Sequence, residues 1–377
     1  MPLQIPKPPC VIYDAAPVAR QYKQLRSHLD KAYPRSRIFY ALKACYVPHV
    51  VKELIHLGCG LEITSRFEQQ IAVHFGLSGR QIVWNGPGLD ETTLRGIVKR
   101  GEIVNIDSRQ AFEVLSEIAE KQEQDICAGL RLNLTGQGKL GVDPAQAESL
   151  IKKMTRLRII GFHIHPANGF KEPSESQAQR LLFLDLVAGW EKKLGIKPKF
   201  LNLGGGFAGR DDLHKLFAPL ARKISALRSQ PELFLEPGAY LVAEAGTAYA
   251  NVLAVKTVAG VRWAILDIGA NFFVPLQRAS FCVATTKPAS SPKQLSFGGP
   301  LCYEADVIAA DQQTSAHVGG IVKVTRCGAY TASMSSNFSS PPPPIYWKDG
   351  DHFVRVTDFL KSSEHFLKFH GYLKSIR

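Results

Sequence analysis

The chain of 377 residues lacks the features expected of a membrane-bound or secreted protein. No stretch approaches the roughly 18 uninterrupted apolar residues of a membrane-spanning helix. The N-terminal segment "MPLQIPKPPC" has no apolar core of the length that a signal peptide needs. The seven cysteines include no C-x-x-C pair, and an odd number of scattered cysteines suits free thiols. We therefore expect a cytoplasmic protein that does not associate with membranes.

Acidic residues are comparatively few, at 33 against 46 lysines and arginines, and the formal net charge is +13. The basic residues are spread along the chain, which is typical of a solvated basic surface. Such a surface also attracts an anionic substrate or an acidic carrier protein. We find no nucleic-acid recognition motif, and charge alone does not establish nucleic-acid binding. We therefore expect a small-molecule or carrier-linked substrate and no nucleic-acid partner.

Strand-like and helix-like segments alternate through the first two-thirds of the chain. The helix-like segments include 47–58, 108–122 and 176–195, which have apolar residues at three- and four-residue spacing. Alternation of this kind indicates a parallel sheet, and eight units predict a closed (β/α)8 barrel, with a doubly wound open sheet as the alternative. The eight strand-like runs are 37–42, 61–64, 81–85, 102–106, 128–134, 159–165, 200–203 and 233–236.

The pattern changes at about residue 246. Segments 247–270 and 319–330 are rich in β-type residues and show few helical periods. We therefore predict an α/β TIM barrel followed by a C-terminal all-β domain. The predicted boundaries are 18–245 for the barrel, and 246–377 with residues 1–17 for the β-rich domain.

Polar residues and glycines follow several of the predicted strands, where a barrel of this kind builds its active site. Lys43 follows the first strand, His163 and His165 end the sixth, Gly204–Gly206 follow the seventh, and Glu236 ends the eighth. Each has an ordinary explanation when taken alone: the lysine reaches solvent, the histidines are structural and the glycines form a tight turn. Their convergence on one rim favours a functional site.

These residue types suit one cofactor. A lysine amine in an apolar pocket can form a Schiff base with an aldehyde. Consecutive glycines offer backbone N–H groups to a phosphate at the start of a following helix. An imidazole can stack on a flat ring, and a carboxylate can hold a pyridine nitrogen in its protonated form. Aldehyde, phosphate, flat ring and pyridine nitrogen together describe pyridoxal 5'-phosphate (PLP).

The segments that carry these residues resemble the fold-type III PLP-dependent decarboxylases, which include the ornithine, diaminopimelate and arginine decarboxylases. Six segments are similar, in the same order, to motifs of that family. They are "YALKAC" (Y-A-x-K), "GFHIHPAN" (H-x-H-x-G-S), "NLGGGF" (D-I-G-G-G-F), "EPGA" (E-P-G-R), "GGPLCYEAD" (G-P-x-C-x-x-x-D) and "GAYT" (G-A-Y). The similarity covers nearly the whole chain.

The resemblance implies an alanine-racemase-like barrel, a β domain joined by the N-terminal residues, and a homodimer with composite active sites. It implies a PLP-dependent decarboxylase in which Lys43 forms the aldimine, and it implies no metal. The remaining roles are stacking on the PLP ring by His165, phosphate binding by Gly204, Gly205, Gly206 and Tyr330, contact with the pyridine nitrogen by Glu236, and proton donation across the interface by Cys302.

The chain departs from the family motifs at four positions, which are Ala239, Asn168, Asn202 and Tyr303. Tyr303 directly follows Cys302, where ornithine and diaminopimelate decarboxylases have an acidic residue for the distal amine of the substrate. A tyrosine cannot supply the same charge-assisted hydrogen bond. Free ornithine, lysine or diaminopimelate is therefore a less suitable substrate.

The "GPLC" sequence resembles a subgroup of the family that acts in siderophore and secondary-metabolite biosynthesis. Those members decarboxylate amino acids attached to a citryl group or a carrier protein, and a basic chain suits such substrates. We expect Tyr303, Asp306 and Arg278 to bind substrate, with Arg278 placed to meet a carboxylate.

Three alternatives stay open. One is a diaminopimelate- or ornithine-type decarboxylase that acts on a free amino acid. The second is an amino-acid racemase of the alanine-racemase type, against which Glu236 argues because such enzymes place an arginine at the pyridine nitrogen. The third is a catalytically impaired regulatory paralogue, against which the presence of Lys43, Cys302 and Glu236 argues.

Overall fold

A computed structural model describes residues 5–166, 173–207, 212–274, 281–285, 293–357, 364 and 367–368. The chain divides into two compact units. The barrel unit comprises Gln21–Lys43 and Leu54–Leu241, and the sheet unit comprises Met1–Arg20, Ala44–Glu53 and Val242–Arg377. The barrel boundaries predicted from the sequence lie at 17/18 and 245/246. That prediction includes Ala44–Glu53 in the barrel, whereas the structure groups these residues with the sheet unit.

Eight parallel strands form a closed barrel in which each strand pairs with the next and the last pairs with the first. A first strand, β1 (Cys10–Asp14), belongs to the sheet unit. The barrel strands are β2 (Ser36–Ala41), β3 (Gly60–Ile63), β4 (Ile82–Trp84), β5 (Ile103–Ile106), β6 (Ile126–Arg131), β7 (Leu157–His163), β8 (Phe200–Asn202) and β9 (Glu232–Leu235). The predicted barrel is confirmed, and closure rules out the open sheet.

Helices of the described residues lie between the strands and are α1 (Ala15–Ala32), α2 (Pro48–His56), α3 (Arg66–His74), α4 (Glu91–Arg100), α5 (Arg109–Lys121), α6 (Pro144–Lys152), α7 (Pro173–Leu194), α8 (Leu213–Ser225) and α9 (Ala239–Val242). Local capping fixes several starts. Ser108 accepts a hydrogen bond from the Ala111 N–H, and Asp143 accepts one from the Gln146 N–H. A capping side chain satisfies a backbone donor that the helix leaves without a partner.

Short apolar runs form the barrel strands because both faces of each strand are covered. All four residues of β3 and of β5 are buried. In the interior, the rings of Phe200 and Phe234 stack at 4.7 Å between centroids. Gly161 leaves room for Phe200, since a Cβ at that position would lie 2.4 Å from Phe200 Cζ.

The sheet unit contains a nine-stranded, mostly antiparallel sheet. Its strands after β1 are β10 (Gly246–Val258), β11 (Val261–Leu266), β12 (Cys282–Thr285), β13 (Lys293–Gly298), β14 (Val307–Thr314), β15 (Ile321–Thr325), β16 (Ile345–Asp349) and β17 (His352–Arg355). The long strand β10 organises this sheet. Its first half lies between β1 and β15, and its second half pairs with β11. The predicted C-terminal all-β domain is confirmed.

All seven cysteines are free thiols. Among the described residues, no helix combines the length and the apolar character that crossing a bilayer requires.

Packing at Gly161 gives the first testable prediction. Alanine there would press against Phe200, and overpacking a barrel core costs about 1–3 kcal/mol. We expect Gly161→Ala to lower the urea midpoint of unfolding, measured by far-ultraviolet circular dichroism.

The matched control is Gly189→Ala in α7. Gly189 is exposed, and a Cβ there meets no atom outside its own helix within 4 Å. In a helix interior this change is expected to stabilise by roughly 0.5–1 kcal/mol. An unchanged or higher midpoint for Gly161→Ala would contradict the packing described here.

Candidate active site

The carboxyl ends of the barrel strands carry a connected set of polar side chains. Lys43 follows β2, Glu62 lies within β3, Asn85 follows β4, His163 ends β7 and Glu236 follows β9. Strand closure brings these residues together although they are far apart in sequence. Their position matches the end at which barrels of this kind hold their active sites.

Lys43 forms an ion pair with a buried carboxylate. Its Nζ donates a hydrogen bond to Glu62 Oε2. The Glu62 side chain is 2% exposed, whereas the Lys43 side chain is 39% exposed. Burial raises the pKa of Glu62 and the nearby charge of Glu236 adds to this, while Lys43 opposes it. The carboxylate is thus poised to take a proton beside an amine that faces the barrel mouth.

Asn85 links two buried carboxylates. Its Nδ2 donates to Glu62 Oε1 at 3.0 Å and to Glu236 Oε1 at 2.8 Å. Its Oδ1 accepts from Asn105 Nδ2 at 2.8 Å, which fixes the direction of the amide. The link holds both carboxylates in place and offers donors to each.

Asn202 holds Glu236 from the other side. Its Nδ2 donates to Glu236 Oε1 at 2.5 Å, and its Oδ1 accepts from the Gly204 N–H at 2.9 Å. An amide can donate and accept in this way, whereas an ionised carboxylate can only accept. This gives a physical reason for asparagine at a position where the family motif has aspartate.

His163 is the third group at Glu236. It is buried, and its Nε2 lies 3.4 Å from Glu236 Oε2. Neither ring nitrogen has a hydrogen bond of good geometry to the described residues. Burial lowers the pKa of His163, which Glu236 partly opposes. Burial works against ionisation of Glu236, but His163 and the two amide donors outweigh it and lower the pKa of Glu236. We conclude that Glu236 is ionised at neutral pH.

His165 lies two residues further along the chain, and the residue is partly accessible to solvent. Its Nδ1 accepts a hydrogen bond from the Gly205 N–H at 3.2 Å, so the ring proton of the neutral form is on Nε2. Desolvation first, and the charges of Lys43 and Arg131 second, lower the pKa of His165. The ring is therefore neutral at neutral pH, with a flat face available for stacking.

Gly204–Gly206 form a tightly held loop after β8. Gly204 and Gly206 have φ of +67° and +79°, which favour glycine. The N–H groups of Gly204 and Gly205 bind side chains of the barrel, as described above, rather than pointing to an empty site. The next helix, α8, begins at Leu213, where Asp212 caps the N–H groups of His214 and Lys215. The expected direct passage from the glycines into a helix start is therefore absent from the described residues.

A cavity of about 330 Å³ opens beside His165. Two of its lining side chains are cationic: Lys139, which is exposed, and Arg131, which lies 3.9 Å from Asp107. Among the described residues that line the cavity, none is acidic. The complete lining is Arg131, Leu132, Asn133, Leu134, Thr135, Gln137, Gly138, Lys139, Leu140, Ile164, His165, Pro166 and Gln179.

Among the predicted site residues that the structure describes, four belong to the sheet unit rather than the barrel unit, namely Cys302, Tyr303, Asp306 and Tyr330. Cys302 is a free, exposed thiol in the loop between β13 and β14. Tyr303 is 53% exposed, and its ring meets the ring of Phe338 edge-on at 6.0 Å between centroids. Tyr330 has φ of +55°, and its N–H donates to the Ala44 carbonyl at 2.7 Å.

The expectation that Asp306 binds substrate does not agree with its contacts. The residue is 6% exposed. Its Oδ1 accepts from the Ala270 N–H at 2.5 Å, and its Oδ2 accepts from the Leu301 N–H at 2.8 Å. These contacts give Asp306 a structural role in holding the loop that carries Cys302. Arg278 and Asn168 lie outside the described residues.

The site residues predicted from the sequence do not include Glu62, Asn105, Lys139 and Arg180. Two of them, Glu62 and Arg180, lie in sequence patterns that indicate a buried charged residue. Glu62 interrupts the apolar run "LEIT", where an inward-facing acid is unusual. Arg180 shares a helical stripe with Phe183, Val187 and Trp190, all of which are buried. A cation on such a stripe predicts a buried guanidinium.

The barrel site fits PLP. It combines an amine at the mouth, a flat imidazole and a buried carboxylate that is ionised at neutral pH and can hold a protonated ring nitrogen. The three nearest ligand atoms of His163, His165 and Glu236 lie within 4.8 Å of one another, a spacing that also suits a metal ion. However, Glu236 Oε1 and His165 Nδ1 already accept hydrogen bonds, which favours the organic cofactor.

Several known proteins resemble this chain along most of its length. A family model described as the pyridoxal binding domain of pyridoxal-dependent decarboxylases matches residues 16–243. The diaminopimelate decarboxylase of Aquifex aeolicus is 27% identical in an alignment 365 positions long, which covers 89% of this chain and 84% of that protein. The L-glutamyl-[BtrI acyl-carrier protein] decarboxylase of Niallia circulans is 24% identical in an alignment 377 positions long, which covers 89% of this chain and 87% of that protein.

Solved structures share the fold. The diaminopimelate decarboxylase of Helicobacter pylori, in complex with L-lysine, aligns with a TM-score of 0.81 at 22% identity and covers 97% of this chain and 98% of that one. The family match spans more than half of the chain and includes every barrel residue described above. The chain therefore belongs to the pyridoxal-dependent decarboxylases and is a carboxy-lyase that uses PLP.

Proposed function

We propose that this decarboxylase acts on an amino acid joined to a larger anionic group, such as a citryl or carrier-linked unit of siderophore or secondary-metabolite biosynthesis. The observation that carries the proposal is the cationic, acid-free lining of the cavity beside His165. Arg131 and Lys139 suit a carboxylate or phosphate of the substrate. A free diamine end would meet two like charges there.

Two further observations support this substrate class. Tyr303 stands where an acidic residue would bind a distal amine, and its side chain is exposed. The relative from Niallia circulans is named for a glutamyl unit on an acyl-carrier protein. The net charge of +13 favours encounter with an acidic carrier. Seven free thiols suit a reducing compartment such as the cytoplasm.

The barrel residues divide the work of catalysis. When bound, PLP withdraws electrons from the α-carbon of an amino acid and so permits loss of its carboxylate. Lys43 Nζ holds the cofactor and must give up a proton to do so. Glu62, whose pKa is raised by burial, lies in hydrogen-bond contact to take that proton. Glu236 stays ionised to hold a proton at the ring nitrogen, and His165 orients the ring.

Cys302 supplies the proton that replaces the lost carboxylate. A thiol suits this role because it can donate a proton and then take up another from solvent. Cys302 is exposed in the sheet unit. We propose a homodimer in which the Cys302 of one subunit serves the barrel of the other. Tyr330 contributes to holding the cofactor phosphate.

A free amino acid is the second candidate substrate, because several of the relatives are diaminopimelate decarboxylases. Release of carbon dioxide from free diaminopimelate, lysine and ornithine, from citryl conjugates and from carrier-linked aminoacyl groups separates the two candidates. We expect the anionic conjugates to give the highest kcat/KM. Preference for a free diamino acid would overturn the proposed substrate class. A colourless protein that binds no PLP would instead point to a regulatory paralogue.

The role of Lys43 is tested by chemical trapping. Borohydride reduction of the PLP-loaded protein, followed by peptide mass spectrometry, is expected to find the cofactor on Lys43. Lys43→Ala should lose the adduct and the visible absorbance of the bound cofactor. Lys139→Ala, which removes another lysine of the barrel unit, should retain both. An adduct on any other lysine would contradict the assignment.

The composite site is tested by mixing two defective variants. Lys43→Ala and Cys302→Ala are each expected to have little activity, while PLP stays bound in the latter. Random reassociation makes half of the dimers mixed, and each mixed dimer has one intact site of two. Activity should therefore return to about a quarter of the wild-type value. A mixture of Lys43→Ala and Lys43→Met is the control and should stay inactive. No recovery in the first mixture would place both residues in one subunit's site.

The cationic cavity is tested by reversing one charge. Lys139→Glu should raise KM for the anionic substrate about 5–30-fold with little change in kcat, since reversing a nearby charge changes binding by about 1–2 kcal/mol. Lys153→Glu, at the exposed end of α6, makes the same change in net charge away from the cavity. Equal effects of the two variants would show that only overall charge matters.

A further inference from the structure

Arg180 is a buried cation beside the glycine loop. It lies in α7 and is 1% exposed. Its Nε donates to the Leu203 carbonyl at 3.1 Å, and one terminal nitrogen donates to the Gly205 carbonyl. The other terminal nitrogen donates to Ser176 Oγ at 2.6 Å. The guanidinium also lies over the ring of Phe207, 4.6 Å from its centroid. One side chain therefore binds two carbonyl groups that flank Gly204.

These contacts fix the direction of backbone N–H groups. In a trans peptide the C=O and the N–H of one unit point in opposite directions. Because the Leu203 carbonyl accepts a hydrogen bond from Arg180, the Gly204 N–H points away from the guanidinium. It donates to Asn202 Oδ1 instead. The Gly205 carbonyl also accepts a hydrogen bond from Arg180, so the Gly206 N–H points away from the guanidinium as well.

The middle peptide of the loop is held differently. The Gly204 carbonyl accepts from the Glu236 N–H at 2.9 Å, and the Gly205 N–H donates to His165. The middle peptide unit of the loop therefore binds His165 and Glu236, and the peptide units before and after it bind Arg180. A Cβ at Gly205 would lie 2.3 Å from the Glu236 carbonyl oxygen, so the backbone has little room to shift.

We propose that Arg180 is a positioning residue for the phosphate of PLP. It fixes the loop so that the Gly206 N–H faces the anion, and its buried charge adds a favourable potential behind the loop. The family motif E-P-G-R has an arginine where this chain has the buried Ala239. Arg180 supplies positive charge near the loop from a different element. This inference rests on PLP as the cofactor and is independent of the substrate.

The test compares binding of PLP with binding of pyridoxal, which lacks the phosphate, to the full-length apoprotein. Arg180→Met is expected to weaken PLP binding about 10–100-fold, the effect of losing hydrogen bonds to a charged group, and pyridoxal binding less than about 3-fold. Arg180→Lys should be intermediate, because an ammonium keeps the charge but cannot span both carbonyls. Ser176→Ala, which leaves both carbonyl contacts in place, should behave as the wild type.

A purely structural role for Arg180 gives a different result. Equal weakening of PLP and pyridoxal, or no weakening of either, overturns the proposal. If Arg180→Met does not fold, the ratio of the two affinities in Arg180→Lys decides in the same way. Wild-type protein that binds neither ligand would overturn the cofactor assignment itself. Wild-type protein that binds PLP without releasing carbon dioxide from any substrate would count against the proposed function and leave the Arg180 result unaffected.

Discussion

The site depends on keeping one buried carboxylate ionised. Removing an unpaired carboxylate from water costs several kcal/mol, so a buried carboxyl group without partners becomes protonated rather than staying charged. Glu236 avoids this because Asn85 and Asn202 both donate to its Oε1. A charge held in this way can keep a proton on a heteroaromatic ring nitrogen, which is the electronic requirement of the chemistry.

The same amides tie the charge to the rest of the barrel. Asn85 joins Glu236 to Glu62, and Glu62 in turn holds Lys43. Asn202 joins Glu236 to the glycine loop through the Gly204 N–H. Lys43, Glu236 and the glycine loop are thus parts of one hydrogen-bonded network. Substitution of one of these residues is expected to disturb the hydrogen bonds of the others, because the network residues share partners.

The departures from the family motifs acquire physical explanations in this network and beside it. Asn202 replaces an aspartate and gains a donor for Glu236. Ala239 lacks the guanidinium of the motif, and Arg180 supplies one from α7. Tyr303 removes an acid from the substrate side, while Arg131 and Lys139 make the cavity beside His165 cationic. Charge is therefore redistributed among these positions rather than simply lost.

The sequence by itself determined the barrel, because strands covered on both faces must be short apolar runs, and eight such runs alternate with helical segments. It also determined which residues follow the strands, and so made Lys43, His165 and Glu236 the candidate site residues. It could not find the partners of these residues. Asn85 and Glu236 are 151 positions apart and meet only when the barrel closes. The motif suggested a substrate contact for Asp306, but tertiary structure turns its carboxylate to the N–H groups of Ala270 and Leu301. Hydrogen bonds between distant elements depend on the relative placement of whole strands, which no local pattern specifies.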